Sequence, residues 1–396
     1  MRAVAVIGAM FGDEGKGRMV DYFASQAFSL VVRSNGGGQA GHTVVDHETG
    51  QPHIFRHHGS GAFCGAPTFL SRFFISNPYI WAQERTGLVN HLGSRPVPDL
   101  FVDPASPLTT PYDMLINREM ETQMGTCGKR HGTCGLGVGE TVKRLVDGGP
   151  STFVGHIGDN NVLELLLGRI RSEWVPRRIR EMPGKPSIEF MENIDKRGPI
   201  DLYLKQAQAF KNNARPGTSG IFQKFDQVIF EGAQGLGLDE GHMFFPHVTR
   251  SRTGLANVAE ICGAVGISEL EVVYVTRAYS TRHGEGPFPT HDPDMTFDDP
   301  SNYRNDFQGE MRFGALDLDL LRENVRHDLT KAPGIKLNVS VAVTCLDQVP
   351  NSVVTKFQGK MHEMLRAEIP AAVARAAGAT KIYASVSRER AGVPAA

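Results

Sequence analysis

The chain has 396 residues, 40% of them hydrophobic, with 42 Lys and Arg set against 43 Asp and Glu. A net charge of −1 creates no global field toward nucleic acid or an anionic membrane, so neither is an expected partner. The five cysteines show no Cys-x-x-Cys spacing, which argues against a zinc site and fits reduced thiols.

No apolar run nears the ~20 residues that span a bilayer. The N-terminal apolar run is too short for a signal peptide and has no cleavage site. A cytoplasmic protein is expected.

In chain order, Ala3–Ile7 reads as a buried strand, followed by the turn Phe11-Gly12-Asp13-Glu14-Gly15-Lys16-Gly17 and a helix over Arg18–Ser25. Leu30–Val32 is the next strand, and it runs into Asn35-Gly36-Gly37-Gly38-Gln39-Ala40-Gly41-His42-Thr43. Asp46–Pro52 reads as a surface loop. A third glycine cluster spans His131 to Gly139, and helical patterns cover Val162–Glu173 and Ile200–Asn212. The strand Gln227–Phe230 leads into Glu231-Gly232-Ala233-Gln234-Gly235. The strand Glu271–Val275 leads into a fifth cluster from Thr276 to Thr290. Asp292–Asn305, acidic and proline-bearing, reads as a surface or active-site loop. A helix is expected over Leu316–Val325, a strand over Val339–Thr344 and a helix over Val354–Ala367.

Continuous rather than alternating hydrophobicity in the strands suits parallel pairing covered on both faces. The fold class is therefore α/β, a large, mostly parallel central sheet with helices on both faces. No composition break marks a boundary, so residues 1–396 are read as one domain.

Most glycine clusters follow strands, at the edge where open α/β sheets bind ligands. The first differs from a Walker A loop because Gly17 stands where the magnesium-binding hydroxyl belongs. Its amides and Lys16 suit phosphate. Asp13 and Glu14 would repel phosphate unless a metal intervenes or one of them acts as a base, which points to nucleotide chemistry.

The motifs in combination resemble the adenylosuccinate synthetase family. Gly-Asp-Glu-Gly-Lys-Gly matches residues 12–17, Ala-Gly-His-Thr matches 40–43, and Glu-Gly-Ala-Gln-Gly matches 231–235. Val248-Thr249 follows at the expected spacing, and Thr276-Arg277 precedes Gly286-Pro287-Phe288-Pro289-Thr290. The resemblance implies a ligase that phosphorylates the 6-oxygen of IMP with GTP and displaces the phosphate with aspartate. It implies Asp13 as base, His42 as stabiliser of the transferring group and Gln234 near the 6-oxygen. Gly12, Gly15, Lys16, Gly17 and Thr43 would hold the triphosphate, while Thr344 and Asp347 would read its base. Gln39, Thr133, Gln234, Thr249 and Arg282 would hold the purine nucleotide. Mg²⁺ would sit near Asp13 and the Gly41 carbonyl. The resemblance also implies a homodimer acting on small molecules, with an arginine crossing the interface; Lys143 or Arg144 is the nearest candidate.

The chain departs from the family in three places. The threonine-rich aspartate loop is replaced by Asp306 to Gly314, leaving Arg312, with Arg282 and Arg304, as the amine-donor candidates. The guanine-reading lysine is replaced by Cys345, and no Gly-Pro-x-Arg occurs at Ser385 to Arg388, which leaves ATP beside GTP. Gln39 stands for an asparagine, and Gly137-Val138-Gly139-Glu140 for Gly-Ile-Gly-Pro. Two alternatives follow: the same chemistry on (d)GMP, or IMP with another amine, such as an amino sugar or a different amino acid.

Overall fold

The apolar runs assemble into one parallel sheet of nine strands. The computed structural model describes residues 1–127, 132–299 and 309–387. The strands are β1 (Arg2–Gly8), β2 (Ser29–Arg33), β3 (Thr68–Leu70), β4 (Leu100–Val102), β5 (Ala214–Pro216), β6 (Gln227–Glu231), β7 (Glu269–Arg277), β8 (Lys336–Thr344) and β9 (Lys381–Ala384). Their order is β9-β8-β7-β1-β6-β2-β3-β4-β5, and every neighbouring pair is parallel.

Side chains alternate faces along a strand, and both faces of β1 are buried. Ala3, Ala5 and Ile7 join a core with Phe230, Val272 and Tyr274. Val4 and Val6 join another with Met19, Phe23, Ile229 and Val273. Burial on both faces is the physical reason for the uninterrupted hydrophobicity of the expected strands, all five of which are present. The four additional strands are only three or four residues long, too short to carry a pattern.

Helix α1 (Lys16–Ala24) leaves the first glycine loop. Helices α2 (Pro78–Leu92) and α3 (Pro111–Thr126) were not expected, although both carry start signals. Each has proline at its beginning; Asn77 caps α2, and Thr110 with Asp113 forms a capping box on α3. Helix α4 (Val138–Val146) follows the third glycine cluster. The expected helices near 162–173, 200–212 and 316–325 occur as Asn160–Arg169 continuing through a π turn over Ile170–Trp174, as Arg197–Asn213, and as Leu318–Leu329.

Two expectations are corrected. Val354–Ala367 is not a helix but a hairpin, Ser352–Phe357 against Lys360–Leu365, and the helix starts later, over Ile369–Ala377. The two-residue turn Gln358–Gly359 has positive φ at both positions, the geometry that matches strand twist and that glycine favours. The loop expected over Asp46–Pro52 is exposed from His47 to Pro52, but its first residue departs: Asp46 is fully buried, paired with Arg95 and 3.1 Å from His91. Burial raises its carboxyl, but Arg95 and the Glu48 amide hold it well below the usual range. Of the loop Asp292–Asn305, positions 300–305 lie outside the described residues, and Asp299 ion-pairs with Arg277 at 2.6 Å.

Asp328 is a buried hub. It accepts from the Leu255 amide at 2.8 Å and the Tyr274 hydroxyl at 2.9 Å. Its Oδ1 approaches so closely that a Cβ on Gly254 would lie 1.9 Å away. Burial pushes its carboxyl up to about 6, against those two hydrogen bonds. The folded state therefore holds this proton more tightly than the unfolded one. The resulting stability, roughly 3 kcal/mol, is full below about pH 4 and is lost as pH rises through 6. Asp328→Asn keeps an acceptor and should remove that dependence. Urea unfolding between pH 4 and 7 should show the difference between wild type and variant changing by a few kcal/mol; parallel curves would contradict it.

Candidate active site

Five adjacent strands at the centre of the sheet, β8, β7, β1, β6 and β2, end at the same edge and deliver four of the five glycine clusters together with Thr344–Asp347. The first loop is shaped from outside. The Asp13 carbonyl accepts from Arg277 Nε, the Gly12 carbonyl from Thr281 Oγ1 at 3.4 Å, and the Glu14 carbonyl from Thr344 Oγ1 at 2.9 Å. Gly12, Asp13 and Gly15 all have positive φ, and for Asp13 that is a rare conformation for a non-glycine residue. Gly15 precedes helix α1 as its N-cap, with no side-chain hydrogen bond there and no acidic residue in the first turn. Among the described residues, the amides from Gly12 to Lys16 donate no hydrogen bond. The result is a ring of free donors at a helix N-terminus, suited to an anion.

Lys16 is 3% exposed and lies 3.8 Å from Glu14. Glu14 Oε1 accepts from the Met10 amide at 2.6 Å, while Oε2 has no hydrogen-bond partner among the described residues. Burial lifts the Glu14 carboxyl to about 7, against the Lys16 charge and that hydrogen bond. The Asp13 carboxylate lies 3.8 Å from His283 Nε2.

His42 lies beside α1: a Cβ on Gly17 would come within 3.0 Å of both His42 Cβ and Ser60 Oγ. His42 Nδ1 contacts Glu231 Oε1 at 2.5 Å. Glu231, the last residue of β6, is 0% exposed. It also accepts from the Ser60 hydroxyl and, at 3.1 Å, from the Ser60 amide. Arg33, fully buried at the end of β2, stands 3.9 Å away and over the Phe74 ring. Burial alone would raise the Glu231 carboxyl, yet His42, Arg33 and the hydrogen bonds bring it to about 2. It is a carboxylate. Nδ1 of His42 is therefore the donor, and Nε2 is left for a ligand. Burial also pulls the His42 imidazole below its ordinary value, opposed by the Glu231 charge.

The Oε1 atoms of Gln234 and Gln39 are both buried without a hydrogen-bond partner among the described residues. They flank one glycine: a Cβ on Gly36 would lie 3.4 Å from Gln234 Oε1 and 3.8 Å from Gln39 Nε2. Gln234 has a φ of 59° and packs its backbone against Gly12.

The third and fifth clusters close on each other, with a Cβ on Gly132 meeting the Gly284 Cα at 2.9 Å. Thr133 Oγ1 bonds Asn117 Nδ2 at 3.0 Å, and the Thr249 amide donates to Leu238 O at 2.9 Å. Arg282, 1% exposed, donates to His247 O at 2.7 Å and sits over Phe11 and Phe244. Its Nε and Nη1 have no hydrogen-bond partner among the described residues. Arg312 pairs with Arg282 across two short antiparallel strands and donates to the Gly284 and Gly286 carbonyls. Burial and the Arg312 charge draw Arg282 down to about 10. Like charges set directly opposite favour an anion between them.

Thr43 follows His42 on a short strand, opposite Ile54. Thr344 is fully buried, and its hydroxyl bonds the Glu14 and Thr276 carbonyls. Asp347 and Arg366 border an otherwise apolar cavity of about 550 Å³ with Leu346, Pro370, Ile382 and Val386. Arg304, His131 and Arg388 lie outside the described residues. Of the two candidates for an interface-crossing cation, Arg144 is fully buried and binds Asp113 bidentately at 2.8 and 2.9 Å, while Lys143, 29% exposed, pairs with Asp147 one helical turn away at 2.7 Å.

Sequence reasoning assigned no role to Arg33, Arg56, Ser60, Glu231, Arg277 or His283. Glu231 and His283 stand inside quoted motifs; Arg33 and Ser60 carry no local signal, because only the sheet order brings them together. Among the described residues, no group of three or more His, Cys, Asp or Glu side chains is arranged to hold a metal. None of the five cysteines forms a disulfide, and among the described residues no helix is long and apolar enough to cross a membrane.

The family model for adenylosuccinate synthetase matches residues 5–388. The adenylosuccinate synthetase of Desulfosudis oleivorans is 30% identical over 380 residues, covering 91% of this chain and 82% of that one. The enzyme of Francisella tularensis subsp. mediasiatica is 29% identical over 376 residues, with the same coverage. Among solved structures, fully ligated adenylosuccinate synthetase from Plasmodium falciparum aligns over 100% of both chains with a TM-score of 0.76 and 16% identity. The succinoaminodeoxyadenylate synthetase of cyanophage S-2L, bound to dGMP and to dATP as an energy donor, aligns over 100% of this chain and 95% of that one, with a TM-score of 0.59 and 14% identity. The chain belongs to the adenylosuccinate synthetase family of carbon–nitrogen ligases, which draw on a nucleoside triphosphate in purine biosynthesis.

Proposed function

We propose that this enzyme transfers the γ-phosphoryl group of GTP to the 6-oxygen of IMP and then replaces that phosphate with the amine of L-aspartate, giving adenylosuccinate. The whole chain acts as one unit, as a homodimer, on cytoplasmic small molecules. The observation that carries the reading is the convergence of an anionic loop residue, a carboxylate-held histidine and two unpartnered amide oxygens on the mouth of one phosphate loop.

Asp13 removes the N1 proton of the purine, which concentrates electron density on the 6-oxygen. That oxygen attacks the γ-phosphorus, and the nucleoside diphosphate leaves. His42, its Nδ1–H held by Glu231, takes a second proton on Nε2 as the anionic triphosphate binds beside it, and as the imidazolium donates from Nε2 to the transferring oxygens, where charge accumulates. Lys16 and the amides of Gly12, Gly15 and Gly17 hold the phosphates, with Thr43 alongside. The side-chain amide of Gln234 donates to the 6-oxygen. The amine nitrogen then forms the bond to C6 as the C6–O bond breaks and phosphate departs with the former 6-oxygen.

Asp13 and the Gly41 carbonyl offer hard oxygen ligands but no complete cage. That fits Mg²⁺, which commonly takes one or two protein oxygens and completes its shell with phosphates and water. When bound, it supplies neutralisation of triphosphate charge.

Asp347, at the mouth of its apolar cavity, accepts from guanine N1–H and the 2-amino group, with Thr344 shaping the loop beside it. Gln39, Thr133 and Thr249 hold the purine nucleotide. The unpartnered Nε and Nη1 of Arg282, with Arg312 and Arg304, receive the carboxylates of the amine donor. A second reading, (d)GMP in place of IMP, is favoured by the unpartnered Gln39 oxygen, an acceptor for a 2-amino group, and by the likeness to the cyanophage enzyme bound to dGMP.

The test is phosphate release with IMP, GMP and dGMP crossed with GTP and ATP, with and without aspartate, and products read by mass. Adenylosuccinate from IMP, GTP and aspartate is the expected result. A 2-amino product only from GMP or dGMP would transfer the assignment to the second reading. Activity with none of the three purines would overturn both. Asp13→Asn should lower turnover by about 10³ or more, as removal of a general base does. Wild-type rates in that variant would contradict the assigned base. Glu231→Gln removes the charge that orients His42. Turnover should drop about 10²-fold with the triphosphate KM little changed, whereas a change confined to KM would refute an orienting role.

A further inference from the structure

Arg277 is a buried cation to which the steps above give no role. It ends β7, is 6% exposed, and divides its guanidinium among three partners. Nε donates to the Asp13 carbonyl, Nη1 to the Tyr279 hydroxyl at 2.9 Å, and Nη2 to Asp299 Oδ2 at 2.6 Å.

The far side of the guanidinium is firmly held. The Tyr279 hydroxyl donates in turn to Gln348 Oε1 at 2.5 Å, and Gln348 Nε2 donates to the Asp298 carbonyl at 3.1 Å. The rings of Tyr279 and Phe297 stack at 3.7 Å with their planes 10° apart. Phe297, Asp298 and Asp299 are thus each fastened to Arg277 or to a group it binds.

The near side bears on the base. Asp13 has a φ of 54°, a left-handed backbone that a non-glycine residue keeps where its surroundings over-determine it. Thr281 and Thr344 take the carbonyls of the residues before and after it. Of these three donors Arg277 alone is charged, and it holds the carbonyl of Asp13 itself. A charge-assisted hydrogen bond is the stronger kind, and lysine, a point charge on a flexible stem, does not reproduce the guanidinium fork.

We propose that Arg277 is a positioning residue for phosphoryl transfer. It sets the backbone from which the Asp13 carboxylate reaches the purine, and Asp299 holds its guanidinium in the orientation that does so. The segment Phe297 to Asp299 thereby governs the first chemical step through Arg277 rather than by contact with a nucleotide. This rests on the reading of Asp13 as the base. Removing the Asp299 charge leaves a buried guanidinium with an unmatched arm, free to tilt and carry the Asp13 carbonyl with it. Misplacing a reacting group by about 1 Å can cost about 10²-fold in rate.

The experiment follows ¹⁸O in GTP labelled at the β,γ-bridge, with the purine nucleotide and Mg²⁺ present and aspartate absent. Scrambling of label into the non-bridging β-oxygens reads reversible transfer to the 6-oxygen alone. Wild type, Asp13→Asn, Arg277→Lys, Asp299→Asn and the double variant of Arg277→Lys with Asp299→Asn are compared, together with kcat and KM of the full reaction. Arg277→Lys should slow scrambling and kcat by about 10²-fold and Asp299→Asn by about ten-fold, with the KM for IMP and for GTP little changed. The double variant should be no slower than Arg277→Lys, because Asp299 acts through the arginine. Wild-type scrambling in the single variants, with any loss confined to the KM for aspartate, would overturn the proposal, as would additive losses in the double variant. Asp299→Asn, at a partly exposed position, keeps the test decisive if Arg277→Lys does not fold. A wild type that scrambles no label with IMP, GMP or dGMP, or Asp13→Asn scrambling at the wild-type rate, would overturn the functional reading and this proposal with it.

Discussion

A single buried carboxylate organises this molecule. Glu231 ends the central strand β6, has no exposure to solvent, and is ionised. An isolated carboxylate there would cost several kcal/mol. Four neighbours satisfy it: the His42 ring, the Ser60 hydroxyl, the Ser60 amide and the Arg33 guanidinium. These come from the end of β2, the loop after it and the turn around Gly59. Satisfying one charge therefore fixes three separate segments against β6. The orientation of the His42 ring follows from electrostatics rather than from packing alone.

The sheet makes that convergence available. Parallel pairing carries every strand end to the same edge, and β1 lies between β6 and β7. The first loop is consequently flanked by residues far away in sequence. Thr344, Arg277 and Thr281 take its carbonyls, which leaves its amides free for an anion. Rigid strands positioning short loops give a site that needs little reorganisation when charge moves through it.

Much of this was legible in the sequence, for identifiable reasons. Strands buried on both faces, such as Ala3–Ile7, have no polar interruptions, so their limits are sharp. Asp13, Lys16, His42 and Gln234 sit in short motifs where glycines mark close backbone approach. What escaped was non-local. Arg33 looks like an ordinary strand end until Glu231 appears opposite, and Ser60 is one serine among small residues. Arg144 resembles any helical arginine, yet Asp113 on a different helix holds it inside its own chain. The hairpin at 352–365 was misread as a helix because Met361, Met364 and Leu365 satisfy a helical spacing as well as an exposed strand does. Gln358-Gly359 was the deciding signal.

The central claim is that the 6-oxygen of the purine leaves as phosphate. IMP labelled with ¹⁸O at C6, incubated with GTP, aspartate and Mg²⁺, tests it directly. The account predicts that inorganic phosphate acquires one ¹⁸O for each succinyl product formed. Unlabelled phosphate alongside that product would show that no 6-phosphoryl species forms, and would contradict the roles given to Asp13 and His42.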